Sequence, residues 1–161
     1  MADKLCVAVI GNRNSGKSTT WQQLFGGKVK GGYHELQLYY GDYAKVFLVG
    51  SSPQEQKTPI NQLLGAKRPR IVLCAIQYSF DAHETLTFFS DNGYQIFAHW
   101  LNPGYKDNKP PVLDPNGIVT ALLSVNSLVG IRDGKISPYR RVQNIKDFVY
   151  GWAMRRSLIH Q

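Results

Sequence analysis

The chain has 161 residues, 43% of them hydrophobic, so its size and composition suit one globular domain with a buried core. Its 19 lysines and arginines against 11 acids give a formal charge of +8, a surplus that favours polyanionic partners, nucleic acid included, although no nucleic-acid motif accompanies it. No apolar run reaches the length of a membrane span, and neither the two cysteines nor the four histidines have the spacing of a disulfide or zinc framework.

Taken in chain order, Leu5 to Ile10 is a continuous apolar run, the pattern of a strand buried on both faces. It lacks the basic, apolar and small-residue order of a signal peptide, which makes the cytoplasm the expected location. The run leads into Gly11-Asn12-Arg13-Asn14-Ser15-Gly16-Lys17-Ser18-Thr19, a glycine and four free positions followed by Gly-Lys-Ser. That spacing is a phosphate-binding loop, or P-loop. Gly11 and Gly16 let the backbone take positive φ, so that successive amides point at one anion. Lys17 reaches the β- and γ-phosphates, as the catalytic cation, and Ser18 offers a hydroxyl to Mg²⁺. Trp21, Leu24 and Phe25 mark a helix stopped by Gly26-Gly27, and the positive end of its dipole faces the same anion. Gly11 through Thr19 are therefore the expected nucleotide-binding residues, with Ser18 also the metal ligand.

Beyond a glycine-rich connection, His34 to Tyr40 alternates polar and apolar like a half-exposed edge strand. Gly41-Asp42 is a hairpin signal of the glycine-first kind, leading into an inner strand from Ala44 to Val49. Gly50 to Lys57 reads as a polar loop, and Thr58-Pro59 opens a short helix carrying Ile60, Leu63 and Leu64. Arg70 to Tyr78 is another buried strand. Asp81 and Glu84 have capping-box spacing ahead of a helix that ends at Asn92-Gly93. A strand from Tyr94 to Leu101 follows, then a loop over Asn102 to Pro115, long enough to suggest function. Asp114 is placed to cap a helix through Ile118, Leu122, Val125 and Leu128 to Gly130, with a short strand or a turn at Ile131. Ser137-Pro138 opens a last helix whose buried stripe is Val142, Ile145, Val149 and Trp152, with Arg140, Arg141 and Lys146 largely off that stripe. The expectation is an α/β three-layer sandwich, a mainly parallel sheet of five to six strands with one antiparallel edge strand, in a single domain.

The stretch from Gly11 to Gly26 resembles the P-loop and first helix of bacterial GTPases such as the ferrous-iron transporter G domain. With the hairpin that follows, the chain resembles a G domain of the translation-factor and Ras-like P-loop class. The resemblance implies a P-loop NTPase fold, binding of ATP or GTP with Mg²⁺, and hydrolysis that is slow or depends on a protein partner. It further implies K⁺ coordination by Asn14, water orientation by Gln54, and a nucleotide contact from Asn102. The chain departs from the family where Gly50 occupies the metal-ordering aspartate position and Pro53 the glycine whose amide meets the γ-phosphate. Asn102-Pro103-Gly104-Tyr105 stands where Asn-Lys-x-Asp would read guanine, so ATP and GTP stay equal. The strand ending at Gln77-Tyr78 carries no acid, which leaves Glu55 and Asp81 as the metal-shell candidates. Three functions are open: a hydrolysing switch, a non-hydrolysing nucleotide module that presents a surface to a partner, and a small-molecule kinase with its lid at Arg132 to Arg141.

Overall fold

A computed structural model describes residues 2–107 and 113–161. The elements run β1 (Lys4–Gly11), α1 (Lys17–Phe25), β2 (Gly32–Gln37), β3 (Tyr43–Val49), α2 (Pro53–Gln56), α3 (Ile60–Leu64), β4 (Ile71–Gln77), α4 (Ala82–Asp91), β5 (Tyr94–Leu101), α5 (Ile118–Leu123), β6 (Ser127–Arg132) and α6 (Tyr139–Met154). They form one six-stranded sheet in the order β2-β3-β4-β1-β5-β6, parallel except for the β2–β3 pair at one edge. The α/β class, the mainly parallel sheet and the antiparallel edge strand are as the sequence leads one to expect.

Apolar residues on both faces of the inner strands dictate two cores. Cys6, Ala8 and Ile10 of β1 meet α3, α4 and α5 through Ile60, Leu86, Phe89 and Leu122. Leu5, Val7 and Val9 meet α1 and α6 through Trp21, Leu24, Val142, Ile145 and Val149. Helices on both faces make three layers. Cys6 and Cys74 are buried free thiols, with burial pushing both titrations up. The chain leaves β1 toward one face and leaves its neighbours β4 and β5 toward the other. The loops therefore diverge at the carboxyl end of β1, where ligands of open α/β sheets lie.

Several local expectations are corrected. The hairpin turns on Tyr40-Gly41, both at positive φ, with the Asp42 amide donating to the Tyr39 carbonyl at 2.9 Å. Positive φ at both central residues is the primed turn that matches strand twist. Residues 50–57 are not all loop. Ser52 caps α2, its hydroxyl accepting from the Glu55 amide at 3.1 Å, and Pro53 takes the first helical position. The Asp81 side chain makes no cap bond, since Asp81 itself is helical at φ −62°, so that capping box does not form. The helix expected through Gly130 ends at Leu123. Residues 127–132 instead pair with Ile96–Leu101 as a full edge strand. Apolar residues three and four apart mimicked a helix face there, but the ladder to β5 decides. Asp114 does cap α5, accepting from the Ile118 and Val119 amides at 2.9 Å. Of the loop expected over Asn102 to Pro115, residues 108–112 lie outside the described residues. Among the described residues no helix is long and apolar enough to cross a membrane.

Candidate functional site

The buried run of β1 delivers Gly11 to the carboxyl edge of the sheet, and the chain then turns tightly into α1. Gly11, expected at positive φ, is not; Asn14 and Gly16 have positive φ, 62° and 104°. Alternation of such residues with right-handed ones makes a concave nest of amides, and at 104° only glycine is unstrained. Gly16 is also the N-cap of α1 and has no side chain to satisfy the first-turn amides, so Lys17, Ser18 and Thr19 present theirs outward. Ser15 is buried, its hydroxyl without a partner among the described residues, while Asn12, Arg13, Asn14, Ser18 and Thr19 are exposed around the rim.

Lys17 folds back over the loop. Its ammonium donates to the Gly11 carbonyl at 2.9 Å and the Asn12 carbonyl at 2.8 Å, and pairs with Glu55 at 3.4 Å. The lysine is 7% exposed; burial pulls its titration down, and Glu55 pulls it back up. Two carbonyls and a carboxylate on the rim thus occupy the three donors of a nearly buried ammonium.

The loop is braced from behind. The Tyr105 amide donates to the Ser15 carbonyl at 3.0 Å, and the Lys106 amide to the Asn14 carbonyl at 3.3 Å. The segment after β5 can approach this closely because residue 104 is glycine: a Cβ there would sit 2.7 Å from the Ser15 Cβ. The turn after β6 joins through the Gly134 amide, which donates to the Pro103 carbonyl at 2.7 Å. From α6, Arg141 donates through Nε to Thr20 Oγ1 at 2.9 Å, and Thr20 Oγ1 donates to the Gly16 carbonyl at 2.8 Å. The carbonyls of Asn14, Ser15 and Gly16 are thus tied from behind, while those of Gly11 and Asn12 hold Lys17 and the Ser15 amide donates to the Asn12 carbonyl at 3.1 Å.

The other expected residues are placed as follows. Asn102 follows β5 directly, its amide donating to the Arg132 carbonyl at 2.9 Å, in the segment that braces the loop. Gln54 is engaged in structure: its Oε1 accepts from the Gln77 amide at 3.1 Å and its Nε2 donates to Thr85 Oγ1 at 3.0 Å. It ties the end of β4 to α4. Because β4 lies between β3 and β1, Gly50 ends a strand about 10 Å from the P-loop strand. α2 crosses back over the end of β4, and this brings Glu55 to Lys17. Asp81 instead borders a separate shallow cavity with Gln54 and Lys57. A cleft of about 670 Å³ runs beside α1, with Ser18, Gln22, Gly50 and Ser51 in its wall. Among the described residues no group of three metal-ligating side chains occurs.

Two features escaped sequence reasoning. Arg141, expected off the buried stripe, is 4% exposed beneath the loop from Gly11 to Thr19. Nothing in the sequence distinguishes it from its solvated neighbour Arg140. The α2 capping of Ser52, Pro53 and Glu55 was legible in principle, since a helix start announces itself by that spacing. His99 and Trp100, at the ligand end of their strand, are buried. Trp100 stacks on Tyr78 at 4.6 Å, and His99 packs edge-on to Phe97 at 4.9 Å. Comparison with known proteins gives no match to any protein family, curated protein or solved structure.

Proposed function

We propose that this protein binds a nucleoside triphosphate, ATP or GTP, in the loop from Gly11 to Thr19 and hydrolyses it slowly with Mg²⁺. One observation carries the reading: the buried Lys17 ammonium lies over the Gly11 and Asn12 carbonyls beside a positive-φ nest at the start of α1. The amides of that nest and of Lys17 to Thr19 cradle the phosphates, and Lys17 exchanges Glu55 for phosphate oxygens.

The residues present suit Mg²⁺, which keeps several waters and takes one or two protein ligands besides phosphate oxygens. Ser18, exposed in the cleft wall, and Glu55 are the residues that would hold it. Bound there, the ion neutralises charge that develops on the phosphates. Glu55, released from Lys17, accepts the proton of the water that attacks the γ-phosphorus as the bond to the β-bridging oxygen breaks. Gln54 can take the water-orienting role only by leaving Gln77 and Thr85, and those bonds favour a slow enzyme.

Release of inorganic phosphate from ATP or GTP tests this. Turnover should require Mg²⁺ and vanish in Lys17→Ala. Tight triphosphate binding without turnover would replace hydrolysis by the non-hydrolysing module. That second reading is favoured by the engagement of Gln54 and by Gly50 and Pro53 at positions expected to serve the metal and the γ-phosphate.

A further inference from the structure

We propose that the groove between β6 and the first turns of α6 is a second anion site, distinct from the P-loop, which takes a small molecule bearing a phosphate monoester. Arg132, Arg140 and Arg141 line it with Ser137 and Asn144, around a cavity of about 330 Å³. The acid in its wall is Asp133, whose Oδ1 already accepts the Lys135 amide at 2.8 Å. Three guanidinium groups against one engaged carboxylate leave a strongly positive concavity.

The guanidinium groups are short of partners. Arg141 is 4% exposed and has five N–H donors. Its Nε bond to Thr20 is firm, but Nη1 to the Ile136 carbonyl and Nη2 to the Gly16 carbonyl are both at 3.5 Å, the outer limit of a hydrogen bond. Among the described residues no carboxylate lies within ion-pair distance of it. Burial of the cation is costly, Asp133 offsets part of that cost from beyond ion-pair distance, and an anion in the groove offsets more. Nε of Arg132 is likewise buried without a partner among the described residues, while Nη2 donates to Asn144 Oδ1 at 3.3 Å. Gly130 lets the Arg132 guanidinium lie against the strand, where a Cβ would meet it at 3.1 Å. The 16-residue helix α6 begins here with no acid in its first turn; the Tyr139 amide donates to the Ser137 hydroxyl at 3.3 Å, and the positive end of the helix dipole adds to the field.

The charges converge on one concavity and do not form a stripe, which suits a discrete phosphorylated molecule better than a nucleic-acid backbone. Arg141 joins this groove to the P-loop through Gly16 and Thr20, so an occupant acts on the loop through a single side chain. The groove's own chemistry does not depend on a nucleotide in the P-loop.

Titration with glycerol 3-phosphate, followed by amide shifts in NMR spectra, is the test. The wild type should saturate with Kd near or below about 1 mM, with shifts at Arg140, Arg141, Asn144 and Gly16. Lys17→Ala should retain that binding. The double variant Arg132→Gln/Arg140→Gln should lose at least tenfold, while triphosphate affinity stays within threefold of wild type. Arg140→Glu, a change at an exposed position, gives the same readout if the double variant folds poorly. Loss of binding in Lys17→Ala, with shifts confined to residues 11–19, would overturn the proposal. So would unchanged affinity in the arginine variants, or binding of duplex RNA without binding of the ester. Failure of the wild type to bind triphosphate would end the nucleotide reading and leave this titration intact.

Discussion

His99 gives the structure a pH signature that can be worked out from its surroundings. The ring lies on β5 beside Val9 of the P-loop strand, 1% exposed, and neither nitrogen has a partner among the described residues. Burial first, and then the charges of Arg132 and Arg141, push its titration from 6.5 down to about 4. The unfolded chain therefore takes up a proton near pH 6.5 that the folded chain refuses until about pH 4. The sign follows: this contribution to stability is complete above pH 6.5 and is lost as pH falls from there to about 4, then levels off. The span corresponds to roughly 3 kcal/mol, with a local slope of up to about 1.4 kcal/mol per pH unit. Urea unfolding midpoints from pH 7.5 to 4, for wild type and His99→Leu, measure it. Carboxylates titrate in both proteins and cancel in the difference. The variant should lack about 3 kcal/mol of the acid loss. Equal slopes in the two proteins would refute this, and would mean that His99 is solvated or hydrogen-bonded in the folded state.

Other changes probe the bracing of the loop and the chemistry at its rim. Gly104→Ala drives a Cβ into Ser15 at 2.7 Å and should cost about 1–3 kcal/mol, seen as a melting point lower by about 2–12 °C and as weaker triphosphate binding. Tyr78→Phe removes the hydroxyl that donates to Asp114 and accepts from the Asn116 amide at 3.2 Å. A hydrogen bond to a charged group is worth about 1.5–3 kcal/mol, and calorimetric melting should show a loss of that size with the P-loop unaffected. Glu55→Gln removes the carboxylate paired with Lys17 at 3.4 Å. Triphosphate should bind at least as tightly, because nothing charged competes for the ammonium, while phosphate release should slow by about 10²-fold or more.

Much of this arrangement could be read from the chain. A continuous apolar run before Gly11, and a helix pattern after Lys17, fix β1, the loop and α1, because each is determined by residues adjacent in sequence. The alternation ahead of Ala44 likewise marks the antiparallel edge. What stayed hidden depends on distant partners. Residues 127–132 carry a helix-like spacing and become a strand only because β5 offers its free edge. Arg141 is 125 residues from the Gly16 carbonyl it approaches, and only the packing of α6 on α1 brings them together. The position of β4 between β3 and β1 is also a matter of topology, and it determines that Glu55, carried back by α2, meets Lys17.

In the proposed function, the amides after β1 and the Lys17 ammonium form a receptor for the phosphates of a nucleotide. Isothermal calorimetry with ATP and GTP, each with Mg²⁺, addresses it most directly. At least one of them should bind saturably at one site, weakened at least about 30-fold, or ~2 kcal/mol, in a folded Lys17→Ala protein. No heat of binding from either nucleotide, or equal affinity in the wild type and Lys17→Ala, would contradict it.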